Sequence, residues 1–431
     1  MNLETRLRSA AMRHFSAERY LQKQCTKARQ ARERAGNPPV VHYFHQVDDP
    51  YSHLAVQKWN ALTSHYSIPF KPHLVDPPAA EFQGSSQHFS TWARLDAQSV
   101  ASAYGTHFEP GIEAPSVDGV LRAQTILAQH LDKGDFADAA MQIGQALWAG
   151  DALRTTPDGA SAKTALETGN ALRKTLGHYQ GGMFYFDGEW FWGIDRIRSL
   201  ETRLAREGHS TNPDHICVPE PEGTHTSGLD CSGIVLEYFP SLRSPYTAVG
   251  HPSVVELIQR SGVELKLRPV MPMMMRGIPA PRPKQTYIIT DAAREGRTRN
   301  NPLGRIVDPF GKPVMRAFAL YPGAVAQGRG LEFVTAYLRA SWFDGIDITK
   351  EKGLRQVAAS AGLDWQALEN SRTDSAWEAV LEDNLQIMLQ ENLWGVPSFR
   401  VTGGNKPDAF SCWGQDRVWR IEQEIAARAS T

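Results

Sequence analysis

Two stretches of the chain spell the same short pattern 195 positions apart. Residues 41–54 read VHYFHQVDDPYSHL and residues 235–249 read VLEYFPSLRSPYTAV, so Tyr43-Phe44 aligns with Tyr238-Phe239 and Pro50-Tyr51 with Pro245-Tyr246. The same offset pairs Trp92 with Tyr287 and Asp96-Ala97 with Asp291-Ala292. An offset of 194 pairs Arg122-Ala123 with Arg316-Ala317 and Trp148 with Trp342. FWGIDRIRSLETRL (191–204) then answers CWGQDRVWRIEQEI (412–425) at an offset of 221, a change that one short insertion explains. Matches in this order predict an internal duplication, and a repeat constrains architecture more than any composition does. The 431 residues suffice for two such units, each large enough to bury its own core.

Each unit opens with a short apolar, aromatic run (40–44 and 234–239), the pattern of a buried strand. A helix is expected next, from Asp49-Pro50 in the first unit and Ser244-Pro245 in the second. Asp and Ser are good N-caps, and proline suits the first helical turn, where its missing N–H would be unpaired anyway. Second strands are expected at 70–74 and 263–269. Helices should follow at 90–104 and 123–149 in the first unit, and at 286–295 and 315–342 in the second. Each unit then closes with strand, turn, strand (183–192; 398–413) and an amphipathic helix. The expected division is a basic helical segment at 1–36, a first unit at 37–207, a Pro/Gly/His/Thr-rich linker at 208–233 and a second unit at 234–431. The basic segment has the charge to meet an anionic surface but is expected to lie as a solvated helix packed across the first unit.

Composition removes several function classes. A formal net charge of −1 gives no electrostatic case for nucleic acid. No run of about 18 apolar residues is present, so no membrane span is expected. The opening MNLETRLRSAAMRHF has no basic region followed by an apolar one, which predicts no secretory signal and a cytoplasmic protein. The four cysteines, Cys25, Cys217, Cys231 and Cys412, form no CxxC pair, which argues against a disulfide framework, a structural zinc site and a dithiol redox centre.

The second unit resembles the 2-hydroxychromene-2-carboxylate isomerases and kappa-class glutathione transferases of the DsbA-like thioredoxin superfamily. The resemblance rests on Tyr238-Phe239…Ser244-Pro245-Tyr246, on Lys284…Tyr287…Asp291…Arg294, on Trp394-Gly395-Val396-Pro397-Ser398-Phe399 and on Trp413-Gly414-Gln415-Asp416-Arg417. It covers residues 234–428 well and 40–204 in degraded form. It implies an α/β fold of two thioredoxin-like domains, each with a DsbA-like helical insertion. Because related enzymes commonly pair, it also raises the possibility of an internal pseudo-dimer.

The resemblance further implies a glutathione site in which Ser244 replaces the nucleophilic cysteine of disulfide oxidoreductases. A hydroxyl at a helix N-terminus can donate to a bound thiolate, and the helix dipole favours negative charge there. Val396 would precede a cis Pro397 and pair its backbone with the glutathione cysteinyl portion. Gln415 and Asp416 would meet the γ-glutamyl end, and Lys284 a carboxylate. Tyr246, Met273 and Arg294 are substrate-side candidates; Arg294, Arg297, Arg299 and Arg305 are expected as a basic loop, a solvated one before one that recognises a carboxylated aromatic small molecule. The implied reaction is a glutathione-dependent isomerisation or transfer on an unsaturated, aromatic-derived acid. A DsbA-type oxidoreductase and a non-catalytic binding protein are the rival readings.

The first unit lacks this set. Asp49, after Asp48, stands where Ser244 stands, and a carboxylate there would repel a thiolate. Gln180-Gly181-Gly182 replaces the Val-Pro pair. His42, His45 and His53 gather donors beside these aspartates, but alternation along a strand sends His42 and His45 to opposite faces, so no metal site is expected.

Overall fold

β-Branched and aromatic residues build the central strands, and turns of glycine and polar residues separate them. The computed structural model describes residues 1–111, 113–154, 159–372 and 376–429. The chain divides into Leu21–Pro221 and a second unit made of Met1–Tyr20 with Glu222–Thr431. These are called the N-terminal and C-terminal units below.

The N-terminal unit holds strands β1 (Val41–His45), β2 (Phe70–Leu74), β3 (Met183–Phe186) and β4 (Glu189–Trp192) in the order β2-β1-β3-β4. β1 runs parallel to β2 and antiparallel to β3. The C-terminal unit holds β5 (Ile234–Phe239), β6 (Glu264–Leu267), β7 (Ser398–Gly403) and β8 (Phe410–Trp413) in the order β6-β5-β7-β8, with the same directions. Tyr43 faces Phe184 across one sheet, and Tyr238 faces Phe399 across the other. Polar contacts recur as well. The Tyr51 hydroxyl donates to Asp96 at 2.7 Å, and the Tyr246 hydroxyl donates to Asp291 at 2.8 Å. Tyr43 and Tyr238 each lie 3.1 Å from a histidine Nδ1, of His45 and His251 respectively.

Helices of each unit separate its second and third strands. The stretch expected as one helix at 123–149 is two, Val117–Ala128 and Phe136–Ala149, with Gly134 at a φ of 79° between them. That at 315–342 breaks after Lys312–Ala326, where Gly328 adopts a φ of 70°, and resumes at Gly330–Arg339. Gly328, directly after the cap Gln327, enters this left-handed region without the Cβ penalty and ends its helix. Arg294 and Arg297 lie within the helix Arg282–Thr298, not on a loop.

The basic N-terminal segment is two helices, Leu3–Ser16 and Glu18–Arg34, and the first packs within the C-terminal unit, not against the N-terminal one as expected. Buried Asp308 fixes it there: Arg8 Nε donates to one carboxylate oxygen at 2.7 Å, and the Ser9 hydroxyl accepts the Asp308 amide at 2.9 Å. The stretch expected as a linker is partly docked. Buried Glu201 accepts the amides of Cys217 and Val218 at 2.7 and 2.9 Å.

Candidate functional site

Ser244 caps the helix Pro245–Ser261, with Pro245 in its first turn as the sequence predicts. Its side chain is buried, accepts the Thr247 amide at 3.1 Å and donates to the Val396 carbonyl at 3.3 Å. A hydroxyl has one proton and two lone pairs, so a lone pair remains while its single proton is directed at Val396. The Val396–Pro397 peptide bond is cis. The Pro397 carbonyl accepts the Gly414 amide at 2.9 Å, tying the entry of β7 to the turn that carries Gln415 and Asp416.

Gly395 explains how this segment passes so close to its neighbour. A Cβ there would lie 2.1 Å from the Trp413 indole, so only glycine lets the ring cover the backbone. Trp394 and Trp413 sit with ring centroids 4.7 Å apart.

Two cations converge on Trp394. Lys284, in the first turn of Arg282–Thr298, is buried with its ammonium 5.5 Å from the Trp394 ring centroid. Burial lowers its pKa to about 8. Arg276 closes the short turn Met273–Arg276 and donates to the Trp394 carbonyl at 2.8 Å. Its Nε is buried with no hydrogen-bond partner among the described residues, and burial lowers the guanidinium pKa to about 10. A buried donor without an acceptor is a place where an anion gains a charge-assisted contact. Arg243, next to Ser244, is held on Asp308 at 2.7 Å.

Sequence reasoning passed over Arg276. It follows a run of methionines, and only the turn brings it to the Trp394 backbone. Met273 lies half-buried at the start of that turn. Tyr246 and Arg294 meet on buried Asp291, with the Tyr287 hydroxyl 3.4 Å from the same carboxylate. Gln415 is buried against Gly250, where a Cβ would come within 2.5 Å of its own, and reaches Glu295 at 3.4 Å. Asp416 is half-buried, with one oxygen 3.6 Å from the Arg417 guanidinium. The structure thus brings Ser244, Val396 and Pro397 together and places Lys284 beside Trp394, while Tyr246 and Arg294 form a separate cluster.

Cysteine takes no part in the Ser244 cap. Cys231 and Cys412 lie in the apolar core of this sheet with Leu236, Tyr238 and Phe399. One family is matched by the sequence of this unit. Its profile, the DSBA-like thioredoxin domain, matches residues 235–426. Residues 235–426 have the pattern of a DSBA-like thioredoxin domain. Among solved structures, 2-hydroxychromene-2-carboxylate isomerase is 18% identical, with 45% of this chain and 95% of that chain covered and a TM-score of 0.36. The cytosolic disulfide reductase DsbM from Pseudomonas aeruginosa is also 18% identical, covering 45% of this chain and 98% of its own, with a TM-score of 0.36. No curated protein matches the sequence. No described helix is long and apolar enough to cross a membrane.

The N-terminal unit has a carboxylate and a glycine at its own helix cap. Asp49 caps the helix Pro50–Val56, accepting the Ser52 amide at 2.9 Å and its hydroxyl at 2.8 Å. Burial raises this carboxyl to about 6 against the pull of the Ser52 bonds. Gly182 donates to the Phe44 carbonyl at 2.9 Å, and its carbonyl accepts the Gly193 amide at 2.8 Å, as the Pro397 carbonyl accepts Gly414. A Cβ on Gly182 would lie 2.6 Å from Asp49 Oδ2. The larger cap and the missing proline therefore go together: the glycine leaves the space that the carboxylate fills.

Proposed function

We propose that the DSBA-like domain binds glutathione and catalyses a glutathione-dependent isomerisation or transfer on an unsaturated, aromatic-derived carboxylate in the cytoplasm. The observation that carries this reading is a serine hydroxyl at a 17-residue helix N-terminus, 3.3 Å from the carbonyl that precedes the cis proline, where no thiol is present. Glutathione supplies the thiol that adds to an activated C=C bond and leaves again. Ser244 turns its proton from Val396 to the bound sulfur, and the helix dipole adds to the preference for a thiolate. Lys284 and the free Nε of Arg276 suit the carboxylates of glutathione or of the substrate. Val396 offers its backbone beside Pro397, with Gln415 and Asp416 toward the γ-glutamyl end. Tyr246 and Arg294, joined through Asp291, would shape the substrate side with Met273. We further propose that the two units arose by duplication, and that the first lost this chemistry when Asp49 and Gly182 replaced the serine and the proline.

Titration calorimetry with glutathione tests the reading. Ser244→Ala is expected to weaken binding about 10- to 100-fold, as loss of a hydrogen bond to a charged group does, and to raise the pKa of the bound thiol. Ser244→Thr keeps a hydroxyl at the cap and should bind glutathione as the wild type does. Equal affinity and equal thiol pKa in all three proteins would remove the serine's role, and no binding by the wild type at millimolar glutathione ends the reading. Lys284 gives a separate signature. Its ammonium attracts an anion below about pH 8 and loses its proton above it, so affinity for S-methylglutathione, which has no thiol to titrate, should fall as the pH passes 8. Lys284→Met should bind weakly at every pH and lose that step; a step that persists would assign it to another group.

A further inference from the structure

The N-terminal unit carries a cluster that the glutathione reading does not use. His65 ends the helix Trp59–His65, while His215 and Cys217 alternate along the segment after the helix Ile197–Arg206. One ring nitrogen of each histidine and the Cys217 sulfur all lie within 4.8 Å of one another. The two imidazoles have centroids 5.0 Å apart. The backbone around them is held from behind. Buried Glu201 takes the Cys217 and Val218 amides, and the Tyr66 hydroxyl donates to it at 3.1 Å. The Ser210 hydroxyl lies 2.8 Å from His65 Nε2, and the Ser67 amide donates to the His209 carbonyl at 2.8 Å.

We propose that His65, His215 and Cys217 form a zinc-binding site that clips the segment 209–217 to the helix Trp59–His65. Two imidazoles and a thiolate are the borderline-soft donors that favour Zn²⁺ over the oxygen-seeking Mg²⁺ and Ca²⁺. Zinc–nitrogen and zinc–sulfur bonds of about 2.0–2.3 Å put tetrahedral donors roughly 3.5 Å apart, so small side-chain rotations bring the three into range. As the Zn–S bond forms, the thiol proton leaves to solvent, and no oxidant or reductant is needed. Exposed His215 leaves the fourth position open to water. Glu201 acts one layer out, fixing the Cys217 backbone as outer partners fix metal ligands. The sequence hid this set because it has no CxxC and its first ligand lies far along the chain from the other two.

The full chain, stripped with a chelator, is to be titrated with Zn²⁺ and in parallel with Co²⁺, which reports thiolate ligation by sulfur-to-cobalt charge-transfer absorption. One equivalent should bind, with that absorption and the strong visible bands of tetrahedral cobalt. Cys217→Ser should abolish the charge-transfer band and weaken zinc about 100-fold or more. His215→Ala changes an exposed side chain and keeps the fold testable; it should weaken zinc while circular dichroism stays the same. Cys25→Ser should bind as the wild type does. Absence of zinc binding at micromolar metal, or a charge-transfer band that survives Cys217→Ser, overturns the site.

Discussion

Replacing Asp308 with alanine should destabilise the C-terminal unit by about 3–5 kcal/mol, the usual cost of removing one partner from a buried ion pair. For a unit of this size that lowers its melting temperature by on the order of 10 °C. Asp308 is fully buried and binds two guanidinium groups, Arg8 and Arg243, each at 2.7 Å. Both cations also lie over the Phe310 ring, 5.1 and 4.7 Å from its centroid. Without the carboxylate, half-buried Arg243 loses its ion-pair partner and Arg8 keeps only the exposed Glu4. Arg8→Ala is the milder change, because Arg243 still neutralises Asp308. Calorimetric melts of wild type, Asp308→Ala and Arg8→Ala check the order; a loss below about 0.5 kcal/mol in Asp308→Ala contradicts it. The site should feel the change too. Arg243 precedes the Ser244 cap, so freeing it loosens the turn that aims the serine, and proteolysis should release the helix Leu3–Ser16 first.

That coupling was not legible in the sequence, and the reason is physical. Strands and caps are local: alternation and aromatic content marked Ile234–Phe239 to the residue, and Ser244-Pro245 and Asp49-Pro50 marked two helix starts. The cis proline was legible only through the resemblance, since most X–Pro bonds are trans. Long-range choices were not written locally. Nothing in the text near Arg8 names Asp308 as its partner, so a basic helix expected against the first unit packs on the C-terminal one. Tyr246 and Arg294 both bond to Asp291, a pairing that only the fold reveals. Arg276 was missed for the opposite reason: its neighbours in sequence are apolar, and its role comes from the Trp394 backbone more than a hundred positions later.

Acid should unfold the N-terminal unit well before ordinary carboxylates titrate. His45, His53 and His73 are buried, and burial lowers their pKa values to about 3, 4 and 3. Neighbouring His53, His107 and His42, with Lys71 beside His73, push in the same direction. The hydrogen bonds suit neutral rings. The Tyr43 hydroxyl gives its proton to the Ser52 carbonyl at 2.7 Å, so His45 Nδ1 must be the donor in their 3.1 Å contact. His42 and His73 share one bond at 2.9 Å, which allows one proton between the two facing nitrogens. In the unfolded chain each ring protonates near 6.5, so between about pH 6.5 and 4 the unfolded state binds more protons. Stability is therefore complete above about pH 7 and falls as the pH drops, by roughly 2 kcal/mol for each such histidine at pH 5. Asp49 works the other way. With its carboxyl raised to about 6, the folded state takes up a proton first, offsetting about 1.4 kcal/mol at pH 5. Three histidines against one strongly shifted aspartate leave a net loss, seen as a falling melting temperature between pH 7 and 5. His73→Phe keeps a ring against Phe44, which now stacks on His73 with centroids 5.1 Å apart, and removes one titrating group. It should flatten the pH dependence by about one histidine's share. If wild type and variant lose stability in parallel, the protons are being taken up elsewhere.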